Sequence, residues 1–126
     1  MSREARLVGA RPVIPVRDMH ESLAFYQGKL GFRLVFDDSG EQGGEISYAG
    51  IRRDDVVLHL QAMVPGRDEA MPLIRIRVEN IEPLYEEYAA AGVIADHAHL
   101  EAKPWGTRDF GMYDPNRAGL VFYEDL

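Results

Sequence analysis

Residues 16–32 read VRDMHESLAFYQGKLGF, and this stretch decides the fold. Asp18 stands where a helix N-cap belongs. Glu21 follows at the spacing of a capping box, in which both side chains take up backbone N–H groups that the first turn leaves free. Leu23, Tyr26 and Leu30 then fall on one helical stripe, with Phe25 beside it. Gly31 ends the helix, because glycine adopts the left-handed conformation of a C-terminal stop at little steric cost. A helix with one apolar stripe needs a sheet to cover it, and strands are predicted on both sides.

Upstream, Arg11–Arg17 (RPVIPVR) alternates, with Val13 on one face and Ile14 and Val16 flanking it. Pro12 and Pro15 lack a ladder donor, which places this strand at an edge that is not fully paired. Downstream, Phe32–Phe36 reads as a second strand, Asp37–Gly44 as a polar turn and Glu45–Tyr48 as a third strand. After a charged turn at Arg52–Asp55 comes a fourth, Val56–Gln61, with Val56, Leu58 and Leu60 on one face. Met63–Met71 (MVPGRDEAM) has turn residues and no sustained period, and reads as a linker. Leu73–Val78 then alternates again, with Ile74, Ile76 and Val78 on one face. Asn80 is placed to cap a helix over Leu84, Tyr85 and Tyr88, which Gly92 stops. Short strands are predicted at Val93–Ala95, Arg108–Tyr113 and Leu120–Tyr123.

The order β-α-β-β-β thus occurs twice, which prompts a test for an internal repeat. A shift of 62 residues brings Ile14 onto Ile76, Val16 onto Val78, Asp18 onto Asn80, Met19 onto Ile81 and Tyr26 onto Tyr88. A shift of 61 brings Gly31 onto Gly92 and Phe32 onto Val93. Strand face, cap, stripe and stop agree, so the chain reads as a duplication: module one at 10–62, a linker at 63–71 and module two at 72–126, together one domain of 126 residues. Alternation sends Ile14, Val16, Leu58, Leu60, Ile74, Ile76, Val78, Leu120 and Phe122 to the helix-packed face. Val13, His59, Arg75, Val121 and Tyr123 go to the opposite, concave face.

Composition bounds the function. With 46% hydrophobic residues the chain can bury a core, and 28% charged residues gives it a soluble surface. No apolar run approaches membrane-spanning length, and MSREARLVGA lacks the apolar stretch of a signal peptide, so a cytoplasmic location is expected. The absence of cysteine removes disulfides, thiolate ligands and thiol nucleophiles. A formal charge of −7 disfavours nucleic acid and is compatible with a cationic ligand. No Gly-x-Ser-x-Gly elbow, P-loop or dinucleotide fingerprint occurs, Gly40–Gly44 reads as a hairpin loop, and Glu86 and Glu87 read as a solvated helix face.

The segment Val16–Phe32 resembles the opening of the vicinal-oxygen-chelate superfamily, which holds glyoxalase I, extradiol dioxygenases, fosfomycin-modifying enzymes and bleomycin-binding proteins. The pattern V-x-D, S-x-x-F-Y and L-G-F is carried by Val16, Asp18, Ser22, Phe25, Tyr26, Leu30, Gly31 and Phe32. Pro104-Trp105-Gly106, Arg108, Phe110 and Asp114-Pro115 resemble a run of the bleomycin-resistance and dioxygenase-like branch. The resemblance implies an α+β fold of two βαβββ modules, each a curved mixed sheet with a helix on its convex face. One departure stands out: residues 114–119 read DPNRAG where that branch has a DPDGN-type turn. The glycine expected at positive φ has moved or been replaced, so the last hairpin is expected to be reshaped and the strand register to shift by up to one residue.

Metal-using members of the superfamily resemble one another in placing four His or Glu ligands on the strands of the two modules. Carried onto this chain, those positions are Arg11, His59, Leu73 and Val121. A guanidinium, a leucine and a valine do not ligate, and one imidazole cannot hold a catalytic divalent ion. His20 belongs to the first helix, and His97 and His99 to a connecting stretch. No metal, cofactor or catalytic residue is therefore expected. The resemblance places Phe36, Tyr48, Trp105, Phe110 and Tyr123 along a groove, with His59 and Arg75 as polar anchors. Arg75 would meet either an anionic ligand or one of the many carboxylates. The expected function is metal-independent sequestration of a drug-like or aromatic ligand, as in bleomycin resistance, in a concave groove at a homodimer junction. The alternative is a metal-dependent lyase or dioxygenase working through His59; a third reading is a binding module with an unrelated ligand.

Overall fold

The N-cap forms as one half of the predicted box: Asp18 sits in extended geometry and its Oδ1 accepts from Glu21 N at 3.0 Å. The protein is represented by a computed structural model that describes residues 4–40, 44–63 and 70–126. Helix α1 (Met19–Ala24) widens into a π-helical turn at Phe25–Lys29, and Gly31 ends it at φ 78°. The strands are β1 (Val13–Val16), β2 (Arg33–Asp37), β3 (Tyr48–Arg53) and β4 (Val56–Ala62). In the second module they are β5 (Leu73–Arg77), β6 (Glu101–Ala102), β7 (Thr107–Tyr113) and β8 (Gly119–Asp125), with helix α2 at Ile81–Ala90.

Two four-stranded mixed sheets result, ordered β1-β4-β3-β2 and β5-β8-β7-β6. Each has one parallel pair, and the registers match at a single offset: Val13 faces His59 as Arg75 faces Val121, both members 62 residues on. The fold is α+β with two βαβββ modules. Strand β1, with Pro15 inside it and Pro12 just before it, lies at a sheet edge. The predicted core face is buried at Ile14, Val16, Leu58, Leu60, Ile76, Leu120 and Phe122, with Ile74 and Val78 packed partly against it.

Four local expectations are corrected. The third strand is Tyr48–Arg53 rather than Glu45–Tyr48, because Asp38 accepts from the backbone N of Ser47 and Tyr48 and from Ser47 Oγ, pinning that approach as a turn. Arg52 and Arg53 accordingly end the strand instead of forming a loop. No strand forms at Val93–Ala95: Ala95 N donates to Gly111 O and Gly111 N to Ala98 O, so a turn at 95–98 interrupts the ladder, which resumes at β6. Asn80 stands at the N-cap at φ 63° without a side-chain capping bond, and Glu124 Oε2 instead accepts from Asn80 N at 2.7 Å and Ile81 N at 3.2 Å. Residues 41–43 of the predicted hairpin loop and 64–69 of the predicted linker lie outside the described residues.

The modules meet through buried polar groups. Tyr26 Oη donates to Asp114 Oδ2 at 2.8 Å, Asn116 Nδ2 donates to Ser22 Oγ at 3.0 Å, and Arg17 N donates to Asn116 Oδ1 at 2.8 Å. Burial, with the Asp114 carboxylate beside it, raises the Tyr26 phenol above its ordinary value. Asp114 Oδ1 also accepts from Asn116 N and Ala118 N, both at 2.8 Å, closing the β7–β8 hairpin around one carboxylate. The residue that takes positive φ there is Arg117, at 75°, and Tyr113 still pairs with Gly119. On the other side Arg53 makes a forked contact with Glu87, at 2.6 and 2.9 Å, and donates to Leu30 O. Glu87 is thus an inter-module ion-pair partner, and its carboxyl is held below the ordinary value chiefly by that hydrogen bond. Tyr88 Oη also reaches Leu30 O, at 2.7 Å, and burial pushes its phenol up to about 12.

Candidate functional site

The outer face of the first sheet carries an aromatic cluster, and a β-bulge creates it. Leu34 pairs with Ile51, but Phe36 pairs with Gly50, so Val35 is the extra residue. Without the bulge, strict alternation would turn Phe36 to the same side as Leu34; with it, the ring crosses to the outer face. Gly50 receives that ring: a Cβ there would lie 2.1 Å from Phe36 Cε1, so no larger residue fits without moving the ring. Phe36 stacks on Tyr48 (centroids 6.3 Å, 18°) and meets His59 edge-on at 5.2 Å. Tyr48 and His59 are joined by a 2.8 Å hydrogen bond between Oη and Nδ1. Phe36 remains 45% exposed, and Tyr48 and His59 are half-buried, so the cluster is open on one side.

Two carboxylates follow Phe36 in the chain. A hydrogen bond from the Ser39 hydroxyl, with one from its backbone, holds Asp37 below the ordinary carboxylate value, and Ser47 does the same for Asp38. This end of the first sheet is anionic. On the second sheet the Arg75 guanidinium lies over the Tyr123 ring, 4.6 Å from its centroid. Arg75 is exposed and has no carboxylate partner among the described residues.

The seven residues expected to line a groove therefore divide. Phe36, Tyr48 and His59 form one cluster, and Arg75 and Tyr123 form a second pair. Trp105 projects from the turn between β6 and β7 and is 66% exposed. Phe110 is corrected: it is 1% exposed and packs among Tyr85, Tyr88 and Phe122, because its register partner Phe122 already points to the helix side. Sequence reasoning misses Gly50 and the bulge at Val35. A glycine amid β-forming residues is the available signal, since it marks a bulge or a close approach.

A metal, as many members of the resembling superfamily use, does not fit these residues. Among the described residues no group of three or more His, Asp or Glu side chains gathers as a metal site. Of the four transferred positions only His59 offers a donor atom, and its Nδ1 is bonded to Tyr48.

Residues 10–122 match the sequence profile of the Glyoxalase/Bleomycin resistance protein/Dioxygenase superfamily. The chain belongs to this superfamily. Within it, the bleomycin resistance protein of Geobacillus stearothermophilus is 29% identical, over 91% of this chain and 95% of that one. The bleomycin-binding protein of the bleomycin producer Streptomyces verticillus, solved with copper(II)-bleomycin, is 27% identical with a TM-score of 0.71, covering 94% of this chain and 97% of that one. TioX from Micromonospora sp. ML1 shares the fold, with a TM-score of 0.76 at 19% identity, 94% of this chain and all of the other. The chain is thus similar, at modest identity, to bleomycin resistance proteins of the superfamily. No helix among the described residues is long and apolar enough to cross a membrane.

Proposed function

We propose that this protein sequesters a small aromatic, drug-like molecule in the cytoplasm without metal and without chemical change. The Phe36–Tyr48–His59 cluster is the aromatic platform, and in a homodimer the groove is closed by the second sheet of a partner protomer carrying Arg75, Tyr123 and Trp105. The observation that carries this reading is an aromatic cluster held open by a glycine niche and a Tyr–His hydrogen bond, with no metal-ligand set around it among the described residues. Aromatic platforms bind planar ligands by stacking and area burial, and need no reactive group. The anionic pair Asp37 and Asp38, like the net charge of −7, supports a ligand with a cationic substituent on the first-sheet side. The relatives whose names include bleomycin support the drug-like class.

The test is calorimetric titration of the purified protein with metal-free bleomycin and simpler planar aromatics. Binding should weaken at least tenfold in Phe36→Ala, at stoichiometry of one site per chain. Equal affinity in wild type and Phe36→Ala would reject the platform. Light scattering should give twice the 14.2 kDa chain mass at micromolar concentration, and a monomer would reject the shared groove.

A further inference from the structure

A chain with 21 acidic and 14 basic residues gathers three arginines around one cleft. The cleft, of about 300 Å³, lies where the first residues before β1 pass β5, and Arg11, Arg75 and Arg77 line it with Asp55 as its one carboxylate. Arg77 is engaged by Asp125 at 3.0 Å, and Arg11 turns back on its neighbour's carbonyl, Ala10 O, at 3.0 Å. Arg75 is different. Its contact is the face of Tyr123, which orders the guanidinium plane and leaves the N–H edge free of any carboxylate among the described residues. The fold does not demand this charge. The repeat counterparts of Arg75 and Arg77 in module one are Val13 and Pro15, at the same strand positions. Pro12, Val57 and Ile74 supply apolar wall to the same cleft.

We propose that Arg75 anchors a carboxylate of the sequestered ligand, so that the ligand class is an aromatic acid, with its ring carried by the groove, its carboxylate on the guanidinium fork and any cationic substituent at the opposite, Asp37–Asp38 end. This rests on the small-molecule reading above and names the class of ligand it serves. A guanidinium stacked on tyrosine presents two parallel N–H donors at its edge, which match a carboxylate and do not match an ammonium or an alcohol. Tyr123 fixes the plane, so little side-chain freedom remains to be lost on binding. Arg11, which donates to a backbone carbonyl, adds positive potential without needing to touch the ligand.

The experiment uses three probes with one ring system and different heads: 2-naphthylacetate, 2-naphthaleneethanol and 2-(2-naphthyl)ethylamine. Each is titrated calorimetrically into the full chain, its Arg75→Gln and Arg75→Lys variants, and Phe36→Ala. The acid should bind at least tenfold more tightly than the alcohol in wild type. That advantage should vanish in Arg75→Gln, return only in part in Arg75→Lys, and shrink as salt rises. Circular dichroism and a denaturation midpoint confirm that each variant is folded, which an exposed side chain should permit. If the three probes bind equally, or if Arg75→Gln keeps the acid's advantage, the anchor is refuted while the sequestration reading stands. If none of the three, nor bleomycin, binds wild type, the sequestration reading falls and the anchor with it.

Discussion

Gly50→Ala should evict Phe36 from its niche, and the size of the effect follows from the ring's burial. The added Cβ would lie 2.1 Å from Phe36 Cε1 and 2.6 Å from Cδ1, inside any tolerable contact. Gly50 is in the strand and has no positive φ, so the backbone itself accepts alanine. Phe36 is 45% exposed. A phenylalanine buries roughly 200 Å² when fully covered, so about half of that is at stake. At ~25 cal/mol/Å², this is ~2.5 kcal/mol as an upper bound, and ~1.5–2.3 kcal/mol after allowing for a compact unfolded chain. Gly50→Ala should therefore cost about as much as Phe36→Ala, because both forfeit the same contacts. The double variant decides the cause: with the ring gone, the three atoms nearest the new methyl are gone, and Gly50→Ala/Phe36→Ala should be no less stable than Phe36→Ala alone. Urea denaturation of the four proteins measures this cycle. Additive losses would refute the niche, and with it the claim that Gly50 builds the platform.

Tyr26→Phe should cost ~1.5–3 kcal/mol, since a buried hydroxyl loses a bond to a carboxylate. Asp114→Ala should cost more, because it also strands two backbone N–H groups and Asn116; denaturation midpoints check both. Stability should depend on pH in the acid range: Glu87 and Glu124, held by Arg53 and Arg108, have folded values below 4.5. The unfolded chain therefore binds the proton first, so the contribution is complete above 4.5 and is lost as pH falls through the depressed folded values, and Glu87→Gln should flatten part of that fall in thermal scans. Trp105→Ala should cost under ~1 kcal/mol, since the indole is 66% exposed in a turn, and a loss in the ~3–5 kcal/mol range of a core tryptophan would contradict its placement.

The stretch that decides the fold is legible because its signature residues hold the fold together. Ser22 and Tyr26, two residues of the family pattern, bond to Asn116 and Asp114, so these two positions hold the seam between modules. Capping, helix stripe, stop glycine and strand alternation are local, and a reader of the chain sees them directly. The site is less legible for a physical reason. Its side chains reach one face through pairing across strands, and a bulge reverses the parity that alternation assumes. Tyr48 and His59 follow simple alternation, and Phe36 arrives only through Val35. Resemblance alone, without register, puts Phe110 in the groove; pairing with Phe122 sends it inward. Ala49 and Gly50 have low strand propensity, so the sequence places β3 too early in the chain.

The repeat shows how a duplicated frame comes to hold a one-sided site. Gly50 and Gly111 occupy the same position, opposite His59 and Val121. In the first module the glycine leaves room for a ring. In the second it lies against the chain itself: a Cβ at Gly111 would be 3.0 Å from Leu120 O and 3.7 Å from Ala98 Cβ, where the interrupted edge at 95–98 passes. One module thus exposes aromatic surface beside two carboxylates, and the other exposes a tyrosine-stacked arginine. The first face alone offers a platform beside anionic groups; the cationic group that a ligand carboxylate needs stands on the other face. A two-fold dimer that sets the first face of one protomer against the second face of its partner supplies both, and supplies them twice, because the contact is the same in each direction. Two consequences separate this from a groove within one chain: dilution below the dimer dissociation constant should abolish ligand binding, and mixing Phe36→Ala with Arg75→Gln protomers should restore one intact site per heterodimer. Binding that survives dilution, or no recovery on mixing, would place the groove within a single chain.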